Sequence, residues 1–270
     1  KRIFGLKINN ERQYDLSMNI LLVNDDGIDS PALHVLAKAL KDEHELTIIA
    51  PDGERSGFSQ SMTFKGELDV EEREIIGLED VNAYATSGTP ADCTKLGLLL
   101  LCKTPPDLVI SGINLGYNIG NDIGYSGTCG AALEASMAGV RAIAASQYMT
   151  GPLEFDRAAQ FMAGFVKSYM ELDIPPEIMV NINFPDVTKP VKGVRVTEQG
   201  SIDYGEYYYL VEKHSEKKWT YCLRGRGFID AHTTGDAEYI KQGYISISPI
   251  QYDRTNRSMM EKLRRYHADY

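Results

Sequence analysis

Short apolar runs alternate with amphipathic stretches along this chain, and polar, glycine-containing turns separate them. The first clear run is Ile20–Val23, followed by Asn24, the adjacent carboxylates Asp25 and Asp26, and Gly27. That pattern predicts a buried strand ending in a tight turn. Ser30-Pro31 then supplies a helix cap and a proline at the first helical position, and Leu33, Leu36, Ala37 and Leu40 recur at helical spacing. Glu45–Ala50 predicts a second strand, closed by Pro51 and the polar loop PDGERSGFSQS. A strand, a helix and a strand of these lengths form a βαβ unit with parallel strands.

The same alternation continues. Residues 62–86 read as strand-rich, with charged turns around Glu71–Glu74. Thr89-Pro90 with Asp92 predicts a capped helix running to Leu101. Leu108–Ile110 is a parallel-type strand running into Ser-Gly-Ile-Asn, and the loop after it is rich in glycine and asparagine. A small-residue helix is expected over Thr128–Gly139, a strand over Ala142–Ser146, an amphipathic helix over Asp156–Met170 and a strand over Ile178–Phe184. Beyond residue 185 the helical period fades. Tyrosines, β-branched residues and turn signals over 191–250 predict strands and hairpins, and Ser258–Tyr266 a short basic-faced helix. The expectation is an α/β core over 18–185, mostly parallel, followed over 186–270 by a β-rich arm and C-terminal helix that serve oligomerisation. Residues 1–17 read as an extension that precedes the first strand and its Met18.

Composition narrows the function classes. The 270 residues are 43% hydrophobic and 24% charged, ordinary for a globular enzyme, and the formal net charge is -10. That charge disfavours a nucleic-acid backbone binder. No run approaches the roughly 20 apolar residues of a membrane span. The four cysteines show no C-x-x-C spacing, which fits a reducing cytoplasm.

Candidate chemistry gathers at strand ends. In an open parallel sheet, ligands bind beyond the carboxyl ends of the strands. Asp25 and Asp26 follow the first strand, Ser56 lies in the loop after the second, and Asn114 follows the strand at 108–110. All offer hard oxygen ligands, with no histidine or cysteine among them. The set suits one Mg²⁺ or Mn²⁺ better than zinc. Ser126-Gly127-Thr128 and Ser87-Gly88-Thr89 each precede a helix, where free N–H groups can meet an anion or simply be capped. There is no Walker A loop and no G-x-G-x-x-G after the first strand. The adjacent Asp pair also differs from the Asp-x-Asp of aspartyl-nucleophile phosphatases. A zinc deacetylase would need a histidine just before the pair, where Asn24 stands.

The blocks LVNDDGIDSP, APDGERSG, SGTPADC, SGINLGYNIGNDIGYSGTCGAALEA and GYISISPIQYD, in that order from Met18 to about Asp253, resemble the SurE family of stationary-phase survival proteins. The resemblance implies a Rossmann-like three-layer core and a divalent-metal site from Asp25, Asp26, Ser56 and Asn114. It also implies dimers or tetramers through an exchanged arm. The implied activity is metal-dependent hydrolysis of nucleoside 5′- and 3′-monophosphates and, for some members, short polyphosphate. Asn118 and the N–H groups around Ser126, Gly127 and Thr128 would hold phosphoryl oxygens, with Asp25 or Asp26 as general base. Tyr125 and the cluster Tyr204, Tyr207, Tyr208 and Tyr209 are candidates to stack on a base. Gly53 and Phe58–Gln60 depart from the family's usual PDRERSGASHS pattern, which touches substrate contacts and leaves Ser56 intact. A nucleotide-sensing module without catalysis is the alternative from another class.

Overall fold

A computed structural model describes residues 2–3, 6–7, 17–186, 188–225 and 233–266. The strands are β1 (Arg2–Ile3), β2 (Leu6–Lys7), β3 (Asn19–Val23), β4 (Glu45–Pro51), β5 (Val70–Glu72), β6 (Asn82–Thr86), β7 (Leu108–Leu115), β8 (Arg141–Gln147), β9 (Ile178–Phe184), β10 (Val194–Val196), β11 (Tyr207–Ser215), β12 (Lys218–Arg224) and β13 (Ile245–Gln251). The helices are α1 (Pro31–Leu40), α2 (Pro90–Leu96), α3 (Gly127–Met137), α4 (Asp156–Glu171), α5 (Gly235–Lys241) and α6 (Arg257–Tyr266). Nine strands form one sheet in the order β10-β13-β9-β8-β7-β3-β4-β6-β5. The pairs from β9 through β8, β7, β3 and β4 to β6 are parallel.

The strand sequences explain the layering. Ile20 and Leu22 of β3 face a core shared with Leu33 and Leu36 of α1 and with Ala158 and Met162 of α4. Leu21 and Val23 face the other way, toward Cys93 of α2 and Cys129, Ala131 and Ala132 of α3. A strand covered on both faces needs apolar residues at every position, which is why β3 reads as a continuous run. Helix α3 is buried along all but its last residue, Met137, and its small side chains let it lie close against the sheet. The result is an α/β fold of three layers.

The sheet order also locates a crevice. From β3 the chain moves one way to β4 and β6, and later the other way through β7, β8 and β9. The order therefore reverses between β3 and β7, so their carboxyl ends part around an opening.

Four expectations change. The run at 108–110 continues as β7 through Leu115, so Asn114 lies on the strand rather than after it. Within residues 62–86, expected to be strand-rich, the strands are β5, only three residues long, and β6. The 191–250 segment contains a helix, α5, whose apolar face is too short to show a period. Strands β10 and β13 belong to the core sheet, so the projecting arm narrows to the hairpin β11–β12. Most of residues 1–17 lie outside the described residues.

Candidate active site

The turn after β3 closes on itself first. Asn24, fully buried, donates from Nδ2 to Gly27 O at 2.9 Å and accepts the Gly27 N–H on Oδ1 at 3.2 Å. Gly27 sits at φ +103°, and a side chain there would press on the Gly53 backbone at 3.2 Å. This turn aims Asp25 and Asp26 into the crevice.

Asp25 is 3% exposed, and Thr128 grips it. The Thr128 hydroxyl donates to Oδ1 at 2.6 Å and its N–H donates to Oδ2 at 3.1 Å. Asp26 is half-buried and accepts the Leu115 N–H on Oδ2 at 3.3 Å. The Arg55 N–H donates to Asp25 O at 2.7 Å, tying the loop that carries Ser56 to the same strand end. Ser56 is exposed at that loop. Asn114 is 7% exposed and uses its Nδ2 on Gly116 O at 2.9 Å, so Oδ1 is the atom it could offer a cation. The strand end bearing it depends on Gly112, at φ +133°, where a Cβ would lie 2.2 Å from Ala145 O.

The electrostatics of the pair are one-sided. Burial pushes the Asp25 carboxyl above its ordinary range, against the Thr128 bonds. Burial first, then the Asp25 charge, pushes Asp26 up to about 6. Glu54 adds to the repulsion at both. Among the described residues no lysine or arginine pairs with either carboxylate, and the Arg55 guanidinium is engaged by Asp52 at 2.7 Å. Two desolvated carboxylates without a counter-charge fit a bound cation. The donors are all oxygens, as Mg²⁺ or Mn²⁺ requires. Among the described residues no group of three or more His, Cys, Asp and Glu side chains could hold a metal. Completing such a site therefore falls to the neutral oxygens of Asn114 and Ser56 and to water.

The phosphoryl side departs from expectation in two places. Both donors of Thr128 are engaged by Asp25, so this residue orients the carboxylate and has no N–H for substrate. Asn118 is 6% exposed and sits in a buried network. Its N–H donates to Asn183 Oδ1, its Nδ2 donates to Ser146 Oγ at 2.8 Å, and its carbonyl accepts from Asn181 and Asn183. A substrate contact from Nδ2 requires the amide to turn over, and Ser146 can donate as well as accept. Ser126 caps α3 by accepting the Cys129 N–H at 3.0 Å. Within Ser126–Cys129 this leaves the Gly127 N–H unengaged at the start of the helix. A Cβ at Gly127 would lie 2.9 Å from Asp25 Cβ and Oδ2, so only glycine brings the helix this near the carboxylate. The second Ser-Gly-Thr is plain capping. Thr89 accepts the Asp92 N–H at 3.1 Å and gives its own N–H to Asp92 Oδ2.

The chain matches the family model for survival protein SurE over residues 20–206. It belongs to the SurE family. It is 37% identical to a protein named 5′-nucleotidase SurE from Thermoanaerobacter sp. (strain X514), over 91% of this chain and 97% of that one. A protein of the same name from Clostridium tetani is 38% identical, over 90% of this chain and 97% of the relative. The crystal structure of the SurE protein from Aquifex aeolicus superposes with a TM-score of 0.77 at 34% identity, covering 92% of this chain and 99% of that one. As a SurE protein, the chain carries Gly53 and Phe58–Gln60 in the loop after β4. Gln60 donates to Glu134 at 3.2 Å, the Ser59 hydroxyl donates to Gly124 O, and Phe58 is 46% exposed. Tyr204, one of the candidates to stack on a base, gives its hydroxyl to Asp122.

Sequence reasoning did not foresee Thr128 as the partner of Asp25, nor the Leu115 N–H on Asp26. The Ser-Gly-Thr signal marks the helix start, but the contact spans 103 residues and no local spacing encodes it.

Proposed function

We propose that this chain is a divalent-metal-dependent phosphomonoesterase that converts nucleoside 5′-monophosphates to nucleoside and phosphate. Nucleoside 3′-monophosphates and short polyphosphate are further substrates in this reading. The observation that carries it is the buried, uncompensated pair Asp25–Asp26 at the switch point, beside the unengaged Gly127 N–H. The nucleotidase names of the relatives support the substrate class.

Asp25, Asp26, Asn114 and Ser56 would hold one Mg²⁺ or Mn²⁺. Such an ion supplies charge neutralisation at a phosphoryl oxygen and a bound water of lowered pKa. The chain's own residues do the rest. Thr128 fixes both oxygens of Asp25, so that carboxylate is a rigid anchor. Asp26 has only its Oδ2 in a hydrogen bond, and its Oδ1 takes the proton from the attacking water. The Gly127 N–H, at the positive end of α3, donates to a non-bridging phosphoryl oxygen. Turning the Asn118 amide brings a second donor to the same group.

The arm and C-terminal helix build a homodimer or homotetramer. The hairpin β11–β12 is exposed on both faces and α6 buries no residue, so both need partners that one chain does not supply. A cytoplasmic location fits the four free thiols, and among the described residues no helix is long and apolar enough to cross a membrane.

The test is phosphate release from a nucleotide panel with Mn²⁺, Mg²⁺ or chelator. Release should require metal and fall by roughly 10²-fold or more in Asp25→Asn and Asp26→Asn. Release that survives in both variants refutes the site. No release with any metal favours nucleotide sensing without catalysis. A phospho-aspartate trapped by hydroxylamine would replace the water route with an aspartyl nucleophile.

A further inference from the structure

Beside the carboxylate pair, at the carboxyl ends of β7 and β8, the structure exposes apolar side chains that the hydrolytic chemistry does not use. Leu115 and Gln147 are register partners at the ends of β7 and β8, and Gly116 N–H donates to Gln147 O at 2.8 Å. Leu115 is 48% exposed and Tyr148, the next residue after Gln147, is 43% exposed. The Tyr148 ring leans on Tyr117, with centroids 5.1 Å apart and planes at 35°. Tyr117 in turn packs on the small core of Ile119 and Ile202, so the platform has a fixed backing. Gln147 Nε2 donates to Glu154 O at 2.6 Å and holds the loop that follows Tyr148. The backbone N–H of Leu115 is the one that binds Asp26, so this surface begins where the candidate metal site ends.

We propose that Leu115 and the Tyr148–Tyr117 pair receive the nucleobase of the substrate. The inference rests on the phosphomonoesterase reading above and extends it to how the substrate's remote end is recognised. A phosphoryl group at Asp25 and Asp26 leaves its nucleoside beside Leu115, and a heteroaromatic ring matches a flat aromatic and aliphatic surface. Stacking of this kind uses the π-face that every base has, so it favours large rings without reading their edges. Purine nucleotides bind better than pyrimidine nucleotides, and adenine and guanine are treated alike. Tyr125 is the rival stacking residue. It is 70% exposed just before α3, and its carbonyl accepts the Ser59 N–H at 2.9 Å.

The experiment compares AMP with ribose 5-phosphate, which has the same phosphate and sugar but no base, and follows adenosine binding by calorimetry. Tyr148→Ala should raise KM for AMP on the order of tenfold, leave ribose 5-phosphate unchanged and abolish adenosine heat. Leu115→Ala should do the same more weakly, and Tyr148→Phe should restore wild-type behaviour. Equal losses for AMP and ribose 5-phosphate would reduce Tyr148 to a structural role and overturn the platform. A selective loss in Tyr125→Ala instead would move the base to Tyr125 and overturn the platform. Wild-type protein that binds adenosine through Tyr148 but hydrolyses neither ester would sink the phosphatase reading and leave the platform standing.

Discussion

Thr128 shows how much one side chain can decide here. Its two donors meet a carboxylate whose charged form burial disfavours. Thr128→Val keeps the shape but removes the hydroxyl, leaving Asp25 Oδ1 short of a donor. The variant should lose about 1–3 kcal/mol of stability, read by urea unfolding. It should also lose activity with little change in KM, because the anchor of the site rather than a substrate contact is disturbed. Thr128→Ser should recover most of both. His44 is a second residue with a defined signature. It is 8% exposed, the Met18 N–H approaches its Nδ1 at 3.4 Å, and burial pushes its imidazole below the usual range. The unfolded chain therefore binds more protons than the folded one as pH falls below about 6.5. The stability it contributes is complete above that value and is lost as pH drops through the lower folded pKa. The melting temperature should fall more steeply between pH 7 and 5 in the native chain than in His44→Gln. At this scale the sequence marks positions rather than partners. The strand-end rule picked out Asp25, Asp26 and Asn114, which lie where β3 and β7 part. What Thr128 and Asn118 do was not legible, because each is defined by partners far away in the chain.

Elements were easier to read than contacts. The βαβ pattern, the Thr89–Asp92 capping box and the 156–171 helix follow from period and cap chemistry, which are local. The missed features are tertiary. Strand β7 reaches Asn114 only because Gly112 fits against Ala145, and no propensity for Ser-Gly-Ile-Asn would extend a strand that far. Helix α5 is seven residues long, too short to show a period, and it forms where Ala237 and Ile240 can close the small core under Ile119. Two glycine substitutions separate these cases. Gly112→Ala forces a Cβ against a carbonyl at a positive φ and should cost roughly 2–4 kcal/mol, with loss of metal-dependent activity. Gly164→Ala, in the middle of α4 with nothing within 4 Å of the new Cβ, should gain about 0.5–1 kcal/mol. Thermal melts of the two variants should move in opposite directions.

Across the whole molecule, the core buries its apolar residues within one chain and the hairpin leaves much of its own exposed. Leu210, Val211, Trp219, Tyr221 and Leu223 of the hairpin are each between 46% and 57% exposed. An isolated two-stranded hairpin is marginal in water, so these faces are expected to meet a second copy. Sedimentation equilibrium should give a dimer or tetramer, and Leu210→Glu with Tyr221→Glu should shift it to monomer without unfolding the core. The way the arm is rooted has a further consequence. Asp236 accepts N–H groups from Gly120 and Gly200, and Tyr204 reaches Asp122, so the approach to the hairpin is laced to the loop that leads into Ser126 and Gly127. Order in one is order in the other, and such coupling runs both ways. If assembly holds the arm still, it also holds the oxygen-binding loop still. Dilution would then silence the protein before it unfolds it, and a bound nucleotide would pull separated subunits back together.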